Sequence, residues 1–310
     1  MTEFQDKART IINDYITSII NGEPRSSRIS RAKRVQTKGY IHASNMMDCP
    51  AKAAIEQGSQ SNYLRYDHLL KQNNPSMCFR MEEGNREAEI IQEAFDNGST
   101  LLSYPEWYIE SKTLKMMGTM DMWVIDRSES YIIEIKHRVK TRWGEPGPRI
   151  GDIFQMLAYQ VMLEESGIKN ISCNLFIIST PAWADFWNPK AYLQMWSLVP
   201  QDGGYIVIND EDQPWGDQFN DPSFINLDTL YQEIDLQHQY LEMVEAHKEI
   251  DPPIQLHQDK AWQCRTVTRK ATDSTLGTFK PICPYYCHDA SEDLARIYRV
   301  GEDGKWQVKW

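Results

Sequence analysis

Apolar positions along the chain fall into blocks of helical and strand period. "MTEFQDKARTIINDYITSII" carries its apolar residues at helical spacing and predicts an amphipathic helix over residues 1–20. "MCFRMEEGNREAEIIQEAFDNG" (77–98) sets Phe79, Ala88, Ile91, Ala94 and Phe95 in the same period and stops at Asn97-Gly98. Strand-like runs follow: "EWYIE", "LKMMGTMDMWVID" and "YIIEIK", the last two divided by "RSES" as in a hairpin. "IGDIFQMLAYQVMLEESG" (150–167) predicts a helix with a glycine stop, and "ISCNLFIIST" a strand covered on both faces. Further strands are expected near "YLQMWSLV" and "GYIVIND", and a long helix runs through "INLDTLYQEIDLQHQYLEMVEAHKE" up to Pro252-Pro253. A short helix is expected to begin at "CPAKAAIEQ", and the tail over 257–310 reads as irregular and turn-rich. Helix, three strands, helix, strand is the outline of an α/β fold with a central mixed β-sheet flanked by helices.

Composition narrows this little. Of 310 residues, 41% are hydrophobic and 25% charged, as in a globular protein. No run approaches the roughly 18 apolar residues of a spanning helix, so no membrane partner is expected. The N-terminus has acids before its apolar face and no small-residue cleavage site, so a cytoplasmic location is the expectation. The net charge of −11 argues against a generally basic nucleic-acid coat. Local charge is uneven: "RSSRISRAKRVQTK" (25–38) and "KHRVKTR" (136–142) are basic clusters that could follow a phosphate backbone or sit as solvated loops.

The chemistry concentrates where charge interrupts apolar strands. In "YIIEIKHR", alternation puts Glu134 and Lys136 on one face and Ile133 and Ile135 on the other. In "GTMDMW", Thr119, Asp121 and Trp123 share a face of the preceding strand. If Asp121 lies across from Glu134 or Lys136, three ionisable groups converge. A symmetric five-residue loop at 126–130 would set Asp121 opposite Ile135 and divide them, so convergence would need an uneven turn or a bulge. Two close carboxylates in a poorly solvated site repel, and a divalent cation relieves this. On its own, E-x-K reads as a strand-edge salt bridge of Glu134 with Lys136 or Arg138.

A glycine, a spacer and an aspartate in one strand, then E-x-K in the next, resembles the PD-(D/E)XK nuclease superfamily; Met120 stands where proline precedes the aspartate in its motif. "GDIFQMLAY" sets Gln155 and Tyr159 at i, i+4 and resembles the Q-x-x-x-Y motif of the RecB-like branch. "FRMEEGNREAEI" resembles that branch's first helix motif, in which Glu87 would add a metal ligand, with Glu83 and Glu89 as competitors. The resemblance implies a restriction-endonuclease-like core. It also implies Mg²⁺ or Mn²⁺ at Asp121, Glu134, the Ile135 carbonyl and Glu87, with Lys136 as catalytic lysine and Gln155 and Tyr159 contacting substrate.

The six cysteines suit metal binding or burial better than disulfides in a chain of this kind. Cys49 early, and Cys264, Cys283 and Cys287 late, resemble the arrangement in iron–sulfur RecB-like exonucleases, including the CRISPR-associated exonuclease family and AddB-type nuclease domains. That resemblance implies a cysteine-stapled N- and C-terminal subregion holding a [4Fe–4S] cluster, with Zn²⁺ the alternative and His288 or His257 available to it. The segment "RTVTRKATDSTLGTFKPI" between Cys264 and Cys283 is longer than is usual there and reads as an insertion. Cys78 and Cys173 read as packing residues.

These readings divide the chain into an N-terminal helix and basic segment (1–48), a nuclease core (49–255) and a cysteine-bearing region (256–310). They imply a metal-dependent deoxyribonuclease, an exonuclease acting on single-stranded DNA, with Trp143, Trp183 and Trp187 available to stack on bases. The alternatives are a non-cleaving nuclease-fold subunit of a recombination, CRISPR-like or phage complex, and a zinc-stapled structural protein.

Overall fold

The computed structural model describes residues 2–23, 39–46, 75–98, 100–139, 147–180, 193–215, 224–245, 265–269, 277–281, 298–300 and 306–308. The basic segment 25–38, the helix expected near residue 50, Trp143, Trp183, Trp187, His257, His288 and Cys49, Cys264, Cys283 and Cys287 lie outside the described residues. The chain divides into two compact units. One gathers residues 1–37, 42–46 and 70–234, and the other 38–41, 47–69 and 235–310.

The first unit is built on a mixed sheet. Its strands are β2 (Leu102–Ser111), β3 (Met116–Asp126), β4 (Glu129–Val139), β5 (Ile171–Thr180), β6 (Leu193–Gln201), β7 (Gly204–Asn209) and β8 (Phe224–Asn226), side by side in that order. The two-residue β1 (Ile41–His42) falls at the division between the units. Every neighbouring pair is antiparallel except β4 and β5, which run parallel. A parallel pair needs a crossover, and helix α3 (Ile150–Glu165) supplies it.

Helices α1 (Glu3–Ile20) and α2 (Pro75–Gly98) share one core with the sheet: Phe4, Ala8, Ile11, Ile12, Ile91, Ala94 and Phe95 meet Met122, Val124, Ile133, Ile135, Phe176 and Ile178. Thr2 caps α1 in a reciprocal box with Gln5, which satisfies otherwise orphaned donors at the helix start. Phe4 then stacks on Tyr131, ring centroids 3.7 Å apart and 7° from parallel. Helix α3 has Asp152 through Leu163 buried, and β5 is buried from Cys173 to Ser179, as a strand covered on both faces should be. Cys173 is a reduced, buried packing residue whose thiol meets the Met156 carbonyl and Gln160 Oε1.

Helix α4 (Leu227–Glu245) crosses from one unit to the other. In the second unit the chain is less irregular than its composition suggests. β9 (Arg265–Arg269) pairs antiparallel with β10 (Gly277–Pro281), so the segment read as an insertion forms a hairpin. β11 (Tyr298–Val300) pairs with β12 (Trp306–Val308). No described helix is long and apolar enough to cross a membrane.

Because Phe4 anchors α1 through a buried stacked ring, Phe4→Ala should destabilise the first unit by about 3–5 kcal/mol. Urea unfolding followed by circular dichroism measures this; an unchanged midpoint would show that α1 docks without the ring.

Candidate active site

The site lies on β3 and β4, beneath α3. The hairpin closes with Arg127 and Ser128 alone between the paired residues Asp126 and Glu129, and Met122 stands across from Ile133. The β3–β4 ladder ends at that pair, and Asp121 follows immediately beyond it. The two-residue turn is shorter than the five-residue loop considered at 126–130. Arg127 takes a left-handed conformation (φ 57°) to make the turn. The backbone N–H of Ile135 donates to Asp121 Oδ2 at 2.7 Å, tying the aspartate to the neighbouring strand.

Alternation along β4 then divides "EIKHR" between two environments. Ile133 and Ile135 enter the core under α1 and α2. Glu134, Lys136 and Arg138 turn toward α3. Lys136 Nζ donates to Glu134 Oε1 (2.5 Å) and Gln155 Oε1 (3.1 Å). Gln155 Nε2 donates to Glu134 Oε1 and to the Tyr159 hydroxyl, both at 2.9 Å. Tyr159 donates in turn to the Thr119 carbonyl at 2.8 Å. One helical face therefore links both strands, as the i, i+4 spacing of Gln155 and Tyr159 requires. Arg138 pairs with Asp152, whose Oδ2 also accepts from the Arg149 N–H at the start of α3.

Glu134 is 2% exposed, and its Oε2 has no hydrogen-bond partner among the described residues. Burial raises its pKa, although Lys136 opposes the shift. Asp121 rises from 3.8 to about 7, first through desolvation and then through the nearby Glu134 charge. Burial alone would lower Lys136, but Glu134, Asp121 and Asp152 outweigh it and raise its pKa. The lysine stays cationic while the carboxylates resist ionisation.

Glu87 stands elsewhere. Its Oε2 lies 3.3 Å from His137 Nε2, and His137 alternates with Lys136 onto the opposite face of β4. Gly84 permits this approach of α2, since a Cβ there would sit 3.0 Å from His137 Cβ. Among the described residues no three His, Cys, Asp or Glu side chains are grouped to hold a metal by themselves. A cation at Asp121 and Glu134 would thus draw its remaining ligands from main-chain carbonyl, water and substrate oxygens, as Mg²⁺ commonly does.

Two further residues belong here. Gln92 Nε2 donates to the Asp121 carbonyl (2.7 Å) and to Glu106 Oε1 (3.2 Å). Gln92 falls on the stripe that joins Ala88 to Phe95, so a buried amide there already signals a polar partner. Glu106, like Asp152, raises the pKa of Glu134, which adds a further carboxylate within electrostatic reach. Nothing in "YPEWY" distinguishes it from an ordinary strand residue.

No family model and no curated protein matches the chain. Among solved structures, the crystal structure of SSO0001 aligns with a TM-score of 0.36 and 12% identity, covering 77% of this chain and 88% of that one. A likeness of that degree leaves the chemistry to be read from the residues.

A Cβ on Gly118 would lie 2.5 Å from Tyr159 Cε1. Gly118→Ala should therefore displace the Tyr159 ring and cost about 1–3 kcal/mol in urea unfolding. Equal stability of the variant would show that the ring moves freely.

The Asp121 shift has a defined sign. Its folded pKa exceeds the unfolded value, so its contribution to stability is full below 3.8 and is lost as pH rises toward about 7. Chelator-treated protein should lose melting temperature across that window, and Asp121→Asn should flatten the profile. An unaltered slope in the variant would remove Asp121 as the source.

Proposed function

We propose that the chain is a divalent-metal-dependent nuclease that hydrolyses phosphodiester bonds at Asp121, Glu134 and Lys136. The observation that carries this reading is the buried Glu134 Oε2, which accepts no hydrogen bond among the described residues, set beside an Asp121 carboxyl whose pKa desolvation raises to about 7. Lys136 is ion-paired with Glu134, and Arg138 with Asp152. Two desolvated carboxylates sharing one lysine fit a site completed by Mg²⁺ or Mn²⁺.

Asp121, Glu134 and the Ile135 carbonyl would hold the ion. The ion would polarise a phosphoryl oxygen and lower the pKa of a bound water. Lys136 stays charged and supplies a donor for the negative charge that develops on phosphorus. Gln155 fixes Lys136 and Glu134 together, and Tyr159 fixes Gln155 to the backbone of β3. Preorganised donors of this kind need little rearrangement during reaction. DNA is the proposed substrate, and Cys49, Cys264, Cys283 and Cys287 are the proposed ligands of a [4Fe–4S] cluster or Zn²⁺.

Purified full-length protein should cleave labelled single-stranded DNA with Mg²⁺ or Mn²⁺ and not with EDTA. Lys136→Ala should lower the rate by about 10²–10³-fold, the scale of losing one transition-state donor. Asp121→Ala and Glu134→Ala should each abolish metal-dependent cleavage. Intact DNA after incubation with either ion would favour a non-cleaving subunit and overturn the hydrolytic reading.

A further inference from the structure

Residue Glu106 interrupts strand β2 in an informative way. It takes a left-handed φ of 53°, unfavourable for a residue with a Cβ. The β2–β3 ladder pairs Pro105 with Met122 and Trp107 with Met120, omitting Glu106 between them. In a regular strand, Tyr104 and Trp107 would point to opposite faces because they are three positions apart. Here both rings close on Trp123. Tyr104 lies 5.3 Å from Trp107 and 5.3 Å from Trp123, and Trp107 lies 5.5 Å from Trp123, between ring centroids.

This aromatic group is continuous with the site. Trp123 lies two positions after Asp121 on β3. Glu106, adjacent to Trp107, meets the same Gln92 amide that binds the Asp121 carbonyl. Trp107 is 40% exposed, an uncommon position for an indole with aromatic neighbours available to cover it. The Trp123 indole N–H is buried without an acceptor. An exposed ring face and an unused donor, both beside the carboxylates, suit a flat heteroaromatic ring carrying acceptor atoms.

We propose that Tyr104, Trp107 and Trp123 form a stacking platform for an unpaired nucleobase of the strand whose phosphodiester is held at Asp121, Glu134 and Lys136. This rests on the hydrolytic reading of that site. A base stacked on an aromatic side chain has its own π-face uncovered by a complementary neighbour, so the platform accepts unstacked bases of any sequence. The strained Glu106 is what brings Trp107 to the same side as Tyr104, a local cost consistent with a functional constraint.

The test uses full-length protein carrying Glu134→Ala, so that bound strands are not cleaved. Fluorescence anisotropy is read with labelled oligo(dT), oligo(U) and an abasic deoxyribose-phosphate oligomer of equal length. Adding Trp107→Ala should weaken binding of the base-bearing strands by about ten- to a hundredfold and leave the abasic oligomer unchanged. Trp107→Phe should restore most of the affinity, which separates stacking from a folding defect; melting curves check the alanine variant. Loss with oligo(dT), oligo(U) or both supports the platform and identifies the sugar the strand carries. Undiminished binding by Trp107→Ala, equal loss for the abasic oligomer, or no binding by the parent overturns it. If base-dependent loss appears but the otherwise unaltered protein cleaves nothing, the hydrolytic reading falls and the platform stands. If cleavage occurs and Trp107→Ala binds normally, the platform alone falls.

Discussion

The pairing register of β3 and β4 is the constraint on which the site depends. Strand side chains alternate, so shifting this pairing by one residue would exchange every neighbour across the two faces. The close of the hairpin at Arg127-Ser128 sets Met122 across from Ile133, and just beyond that pair the Ile135 N–H donates to Asp121 Oδ2. The same register delivers Met122 and Ile133 together to the core under α1 and α2. Burial of one face thus protects the alignment of the other. A slipped hairpin would place the two carboxylates apart and also bring apolar residues out of a closed core. The left-handed Arg127 costs about 1–2 kcal/mol, small beside the burial of Met122, Val124, Ile133 and Ile135 at about 1.5–3 kcal/mol each.

Electrostatics at the site are deliberately incomplete in a physical sense. A buried ion pair gains Coulomb energy but loses hydration, and hydration often prevails. Here the two partners show which term wins for each. Glu134 shifts upward despite Lys136, so desolvation exceeds the lysine's attraction. Lys136 shifts upward despite burial, because three carboxylates surround one ammonium. Asp152 has Arg138, which leaves Asp121 and Glu134 to share a single cation. An apolar pair of similar size would serve stability as well. The charge arrangement is therefore not required by folding stability.

Much of this was legible in the residues, and what was hidden shares a cause. The alternation of "YIIEIKHR" foretells which side chains meet the core and which meet α3, because strand period is a local property. The i, i+4 spacing of Gln155 and Tyr159 likewise foretells a shared helical face. Turn length is different: "RSES" accommodates either a five-residue or a two-residue connection, and the choice flips Asp121 relative to Glu134. Glu87 depended on how α2 lies against β4, which Gly84 and His137 decide across a long separation in sequence. Glu106 was hidden because a proline before a glutamate gives no sign of a left-handed backbone. Local periodicity could be read, whereas relative placement of distant elements could not.

Two helices on opposite faces of the sheet hold the two carboxylates by different means. Helix α2, fixed in the core by Ile91, Ala94 and Phe95, reaches the main chain of Asp121 through Gln92. Helix α3 reaches the side chain of Glu134 through Gln155. Neither carboxylate can therefore move without disturbing a packed helix, and dense interiors resist such displacement. Rigidity from both faces leaves adaptation to an edge strand. β2 is such a strand: it pairs with β3, carries the strained Glu106 and presents Trp107 to solvent. A substrate of variable sequence needs fixed charge at its phosphate and tolerant contacts at its base. Under the proposed function, β3 and β4 would supply the first and the edge strand β2 the second.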